Sequence, residues 1–117
     1  MAQLTDTDKV EDLISGSRPA FLFKHSSRCP ISARAHREVK RFQSAHPDSP
    51  VAWGMVLVVE DRPVSRWIES RLEIAHASPQ LLLVVEGSVA WHATHGSITK
   101  DSIAAALRQQ GLELGDA

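Results

Sequence analysis

The sequence predicts an α/β domain in which a four-stranded mixed sheet carries helices on both faces. Two observations point there. Short apolar runs alternate along the chain with segments of helical period, in the order α, β, α, β, α, β, β, α. Near the C-terminal third, two apolar runs meet at Glu86-Gly87-Ser88, a tight turn that marks an antiparallel hairpin. A strand, crossover helix and strand, followed by a helix and that hairpin, makes a mixed sheet.

Each element has its own signal. Val10, Leu13 and Ile14 fall at i, i+3 and i+4 behind Thr7, a candidate N-cap, and Gly16-Ser17 closes this first helix. After Pro19, Ala20 to Lys24 reads as a buried strand. Ile31, Ala35, Val39 and Phe42 then make one apolar helical stripe, with Arg34, Arg37, Glu38, Lys40 and Arg41 opposite, and Pro47 to Pro50 stops it. Val51 to Val59 is nearly continuous apolar sequence, as expected for a strand covered on both faces. Pro63 opens a helix marked by Val64, Trp67, Ile68 and Leu72. Gln80 to Val85 and Val89 to His95 are the hairpin strands. Thr99 is placed to cap a final helix with Ile103, Ala106 and Leu107 inward.

The chain has 117 residues, enough for one domain, 1–117, with one core. A formal charge of −1 gives no electrostatic reason to expect nucleic acid or an anionic membrane as partner. No apolar run approaches the ~18 residues of a membrane span. The N-terminus, MAQLTDTDKVEDLISG, lacks the apolar centre of a signal peptide, so a cytoplasmic location is expected.

There is one cysteine. It excludes an internal disulfide and a Cys-rich metal site. A lone thiol in a reducing compartment is either a small buried hydrophobe or a reactive group. Cys29 follows a buried strand and opens a helix. That position offers unpaired backbone N–H groups and partial positive charge to a thiolate. Lys24, His25 and Arg28 are close in sequence and add potential positive charge. Pro30 fits the first helical turn, where its missing N–H costs nothing. Stabilising a thiolate gains little in attack, because nucleophilicity falls as the thiol becomes more acidic. It gains more in departure, which suits a protein that accepts a small thiol and releases it.

KHSSRCPIS, ASPQ and WHATHG, taken together, resemble the YtxJ family of bacillithiol-system proteins, the monothiol bacilliredoxins, within the thioredoxin-like fold. The likeness runs over about the whole chain. It implies a thiol–disulfide oxidoreductase that uses Cys29 to remove bacillithiol from mixed disulfides on client proteins. Ser32 stands where dithiol enzymes carry a second cysteine; its hydroxyl is expected to face the thiolate, and it cannot resolve a disulfide. The fold also implies a cis Pro79, which would bring Ser78, Pro79 and Gln80 beside Cys29 as a strand-like substrate edge, with His95 near Pro79. No bound cofactor is expected. Bacillithiol, or another low-molecular-weight thiol, serves as co-substrate, and a separate reductase recycles it. Bacillithiol is a Cys–glucosamine–malate conjugate, so Lys24, Arg28 and the helix start are the nearest candidates for its two carboxylates.

Other readings remain at this stage. A glutaredoxin-like reductase working with another thiol needs the same residues, and a non-catalytic partner-binding module can occupy the same scaffold. His92 and His95 lie three apart on a predicted strand and so face opposite sides, which argues against a zinc site. His36, His46 and His76 read as exposed polar residues. Trp53, Trp67 and Trp91 read as core or groove wall.

Overall fold

The alternation read from the sequence is present in a computed structural model of the chain, which describes residues 1–115. The expected span 1–117 therefore ends on two residues outside those described. The elements are β1 (Ala2–Gln3), α1 (Thr7–Ile14), β2 (Ala20–His25), α2 (Pro30–Ala45), β3 (Ala52–Leu57), α3 (Arg62–Leu72), β4 (Gln80–Val85), β5 (Ser88–Thr94) and α4 (Lys100–Gln109). A single 3-10 turn, His95–Ser97, joins β5 to α4.

The sheet has five strands rather than four, in the order β1-β3-β2-β4-β5. The fold is the one expected; the extra strand is two residues long and pairs parallel with Gly54 and Met55 at the sheet edge. β2 and β3 are parallel, whereas β2–β4 and β4–β5 are antiparallel. Glu86 and Gly87 both have positive φ, 52° and 78°, the signature of a two-residue type I′ hairpin turn.

Strand alternation sends successive side chains to opposite faces. Phe21, Phe23, Leu81 and Leu83 pack under α2 and α4, against Val39, Phe42, Ile103 and Leu107. Leu22, Leu82 and Val84 pack under α1 and α3, against Val10, Ile14, Val64 and Ile68. Covering both faces is why β2 and β4 are apolar at nearly every position. Each fully buried Phe or Leu contributes on the order of 1.5–3 kcal/mol.

Two local expectations change. Asp6, not Thr7, caps α1: its carboxylate accepts the Lys9 N–H at 2.9 Å. In α2 the buried positions are Ser32, Ala35, Val39 and Phe42, while Ile31 is 51% exposed. The inward stripe is shifted by one residue at its start because the Ser32 hydroxyl has buried partners. Thr99 caps α4 as read, in a reciprocal box with Ser102.

Candidate active site

β2 runs toward the sheet's rim, and residues 26–28 turn the chain into α2. Cys29 is the N-cap of this 16-residue helix, in extended conformation with φ −102° and ψ 123°. Its carbonyl accepts the Ala33 N–H at 2.9 Å, and its own N–H reaches Ser26 O at 3.3 Å. Pro30 follows as the first helical residue. The thiol is half-buried, free, and makes no capping hydrogen bond. It therefore stands at the end of a long helix whose first N–H groups have no partner within the helix. An incoming sulfur can reach it.

Ser32, one turn on, is fully buried. Its Oγ lies 2.7 Å from His25 Nδ1 and accepts the Ser26 N–H at 2.9 Å. The hydroxyl expected to face the thiolate is thus held by its own strand and turn. His25 stacks on Phe23, and the His36 ring lies 4.7 Å away between centroids. Burial holds His25 below the usual histidine range, against the opposing pull of Glu60. Burial does the same to His36, with the charge of His25 adding to it. Both rings are accordingly neutral near pH 7. The anchor for Ser32 costs no buried charge.

The Ser78–Pro79 bond is cis. Pro79 O accepts the His95 N–H at 3.1 Å, so two of the expected substrate-edge residues meet through their backbones. His95 itself has φ 52° and is exposed. Gln80 behaves differently. It lies opposite Lys24 in the β2–β4 register, and its side chain is on the α1/α3 face, donating to Ala75 O at 3.2 Å. Ser78 Oγ and Gln80 Oε1 are buried with no hydrogen-bond partner among the described residues.

Lys24 is not among the groups gathered around the thiol. Alternation along β2 places it on the α3 face, fully buried, with Nζ 2.6 Å from His76 Nδ1. Burial lowers its pKa to about 8, with Glu69 opposing. Arg28 is exposed beside Cys29 and forms no ion pair among the described residues. His76 is exposed, as read from the sequence, and is in addition the partner of a buried lysine. One signal was present: a lysine inside an otherwise apolar strand requires a polar partner.

A family model described as monothiol bacilliredoxin BrxC matches residues 2–103 of this chain. The chain belongs to the monothiol bacilliredoxin family. Solved structures agree on the fold. One, whose description gives it a thioredoxin fold, is 30% identical, covers 90% of this chain and 91% of its own, and superposes with a TM-score of 0.82. A thioredoxin from Trypanosoma brucei brucei is 10% identical, with 94% and 89% coverage and a TM-score of 0.77. Mitochondrial thioredoxin 3 from Saccharomyces cerevisiae is 14% identical, with 93% and 94% coverage and a TM-score of 0.74. The last two show the fold alone. Family and fold together give the domain a thiol redox role. Among the described residues no helix is long and apolar enough to cross a membrane, and no three His, Cys, Asp or Glu side chains are grouped to hold a metal.

Proposed function

We propose that this bacilliredoxin is a cytoplasmic monothiol reductase that removes bacillithiol from client proteins. The observation that carries the reading is the half-buried, unpaired Cys29 thiol at the start of α2, in a chain with no second cysteine to resolve a disulfide. The Cys29 thiolate attacks the bacillithiol sulfur of a client mixed disulfide. The client thiolate leaves with the electron pair of the broken S–S bond and takes a proton from water. Cys29 now carries bacillithiol. A second bacillithiol thiolate attacks that sulfur, releases Cys29 and leaves as bacillithiol disulfide, which a separate reductase must reduce. Ile31, 51% exposed and two residues after Cys29, supplies apolar surface next to this chemistry for a client chain. The backbone around Pro79 offers a polar edge.

The test is a purified client carrying bacillithiol, incubated with the protein and free bacillithiol, and followed by mass spectrometry. The parent protein releases the client thiol and shows the bacillithiol adduct on Cys29. Cys29→Ser folds, because serine is nearly isosteric, and releases nothing. Client release by Cys29→Ser, or an unmodified Cys29 in the parent, rejects the mechanism and leaves a binding module. Equal rates on a glutathionylated client reject bacillithiol as the preferred thiol.

A further inference from the structure

A cavity of about 400 Å³ opens on the α3 side of the sheet, lined by Arg62, Ser65, Arg66 and Glu69, residues 58–59 and His76. Its size suits a small molecule. The four α3 residues fall at i, i+3, i+4 and i+7 and so form one stripe of the helix. Glu69 is already committed, since its carboxylate accepts the His76 backbone N–H. Neither arginine forms an ion pair among the described residues. The Ser65 hydroxyl lies 3.4 Å from His76 Nδ1 and is engaged there, so two guanidinium groups and the outer edge of the His76 ring are left facing the cavity.

Behind this lining lies Lys24. Near neutral pH its amine is an ammonium and can only donate. His76 Nδ1 must then accept from it, which leaves the ring neutral with its proton on Nε2. Burial, followed by the Lys24 charge, holds His76 below the usual histidine range and so favours that form. Lys24 thus sets His76 as a donor at its outer nitrogen. Beside the Glu69 carboxylate, which the His76 backbone N–H engages through one oxygen, the cavity presents two guanidinium groups and the His76 Nε2–H.

The rim of the cavity is joined by hydrogen bonds to the turn that carries Cys29. The Val58 N–H is bonded to His25 O at 3.0 Å, and the Ser27 hydroxyl to Glu60 at 3.3 Å, so the loop after β3 is tied to the turn that carries Cys29. On the other side His76 is three residues ahead of Pro79.

We infer that this cavity is the recognition site for the carboxylates of the small thiol, with Arg62 and Arg66 as ion-pairing groups and His76 as a neutral donor that Ser65 and Lys24 hold in place. The identity of the thiol rests on the proposed function; the anion site does not. Guanidinium groups pair with carboxylates through two parallel N–H donors, which is the geometry a dicarboxylate end needs. This moves thiol recognition from Lys24 and Arg28, nearest in sequence, to the stripe on α3.

Two measurements decide it. First, Cys29→Ser protein, which cannot react, is titrated with malate and followed by amide chemical shifts. Saturable shifts at Ser65, Arg66 and His76 are expected, with affinity at least tenfold weaker in Arg62→Ala/Arg66→Ala. Shifts elsewhere, no shifts, or unchanged affinity overturn the site. Second, kcat/KM is compared on one client carrying either bacillithiol or 2-mercaptoethanol, which has no carboxylate. The ratio of the two falls tenfold or more in the double variant. An equal loss on both substrates means the arginines read the client rather than the thiol, and overturns the assignment. If the parent turns over neither substrate, the proposed function fails, and the malate titration alone decides the cavity. Amide spectra of Arg62→Gln/Arg66→Gln check that any loss is not a folding defect.

Discussion

Ser32 shows how one hydroxyl can decide the layout of a redox site. Its position invites the reading that it serves the neighbouring thiol, yet its Oγ is occupied by His25 Nδ1 and the Ser26 N–H. Its work is to fix the turn between β2 and α2, and hence where Cys29 stands. Ser32→Ala would strip a buried N–H and a buried ring nitrogen of their partner. The expected destabilisation is about 1–3 kcal/mol in urea denaturation, with reductase activity reduced rather than lost. An unchanged midpoint would show that water takes over both bonds. The contrast with Lys24 is instructive about what a sequence discloses. Cys29 was legible because it is the sole thiol and sits where an apolar run gives way to helical spacing. The Lys24–His76 contact joins positions 52 apart, and no local pattern announces a partner at that range. Only the anomaly of a lysine in a buried strand hinted at it.

At the scale of elements, the core strands and all four helices were visible in periodicity, because each must bury an apolar face. β1 was not, since two residues carry no period, and its own pattern is exposed. What holds it is Gly54 on the neighbouring strand. A methyl group there would stand 2.5 Å from Leu4 Cδ1 and 2.9 Å from Leu13 Cδ2. The missing side chain lets Leu4, just past β1, and Leu13 of α1 close over the sheet edge. Gly54→Ala is expected to cost about 1–3 kcal/mol through overpacking. Leu4→Ala in the same chain removes the nearer clash, so the double variant should lose less than the two single losses added. Simple additivity in that cycle would mean that Leu4 swings away freely and that the contact does not anchor the N-terminal strand. The phase of α2 carries a similar lesson. Counting apolar residues placed Ile31 inward, whereas hydrogen bonding drew Ser32 in and left Ile31 at the surface beside Cys29.

Across the whole molecule, packing ionisable groups against a sheet covered on both faces makes stability depend on pH in two windows. His25, His36 and His76 all titrate below the ordinary 6.5, chiefly through burial. Between their folded values and about 6.5 the unfolded chain binds more protons, so stability falls as acid is added through that range. Lys24 acts at the other end. Its folded value is about 8 against 10.5 for a free lysine. From about 8 to 10.5 the unfolded chain again binds more protons, so this residue makes stability rise with pH. Below about 8 the ammonium is present in both states, and the folded state bears the full cost of burying it. The chain has no tyrosine, which removes one overlapping alkaline titration, and Cys29→Ser removes the thiol. In that background the urea midpoint should increase between pH 8 and pH 10. Lys24→Met, which fills the same space without a charge, should flatten the increase. It should also raise the midpoint at pH 7, where the wild-type lysine is charged and buried. A rise from pH 8 to 10 that persists unchanged in Lys24→Met would assign it to other groups and show that burial does not lower the Lys24 pKa.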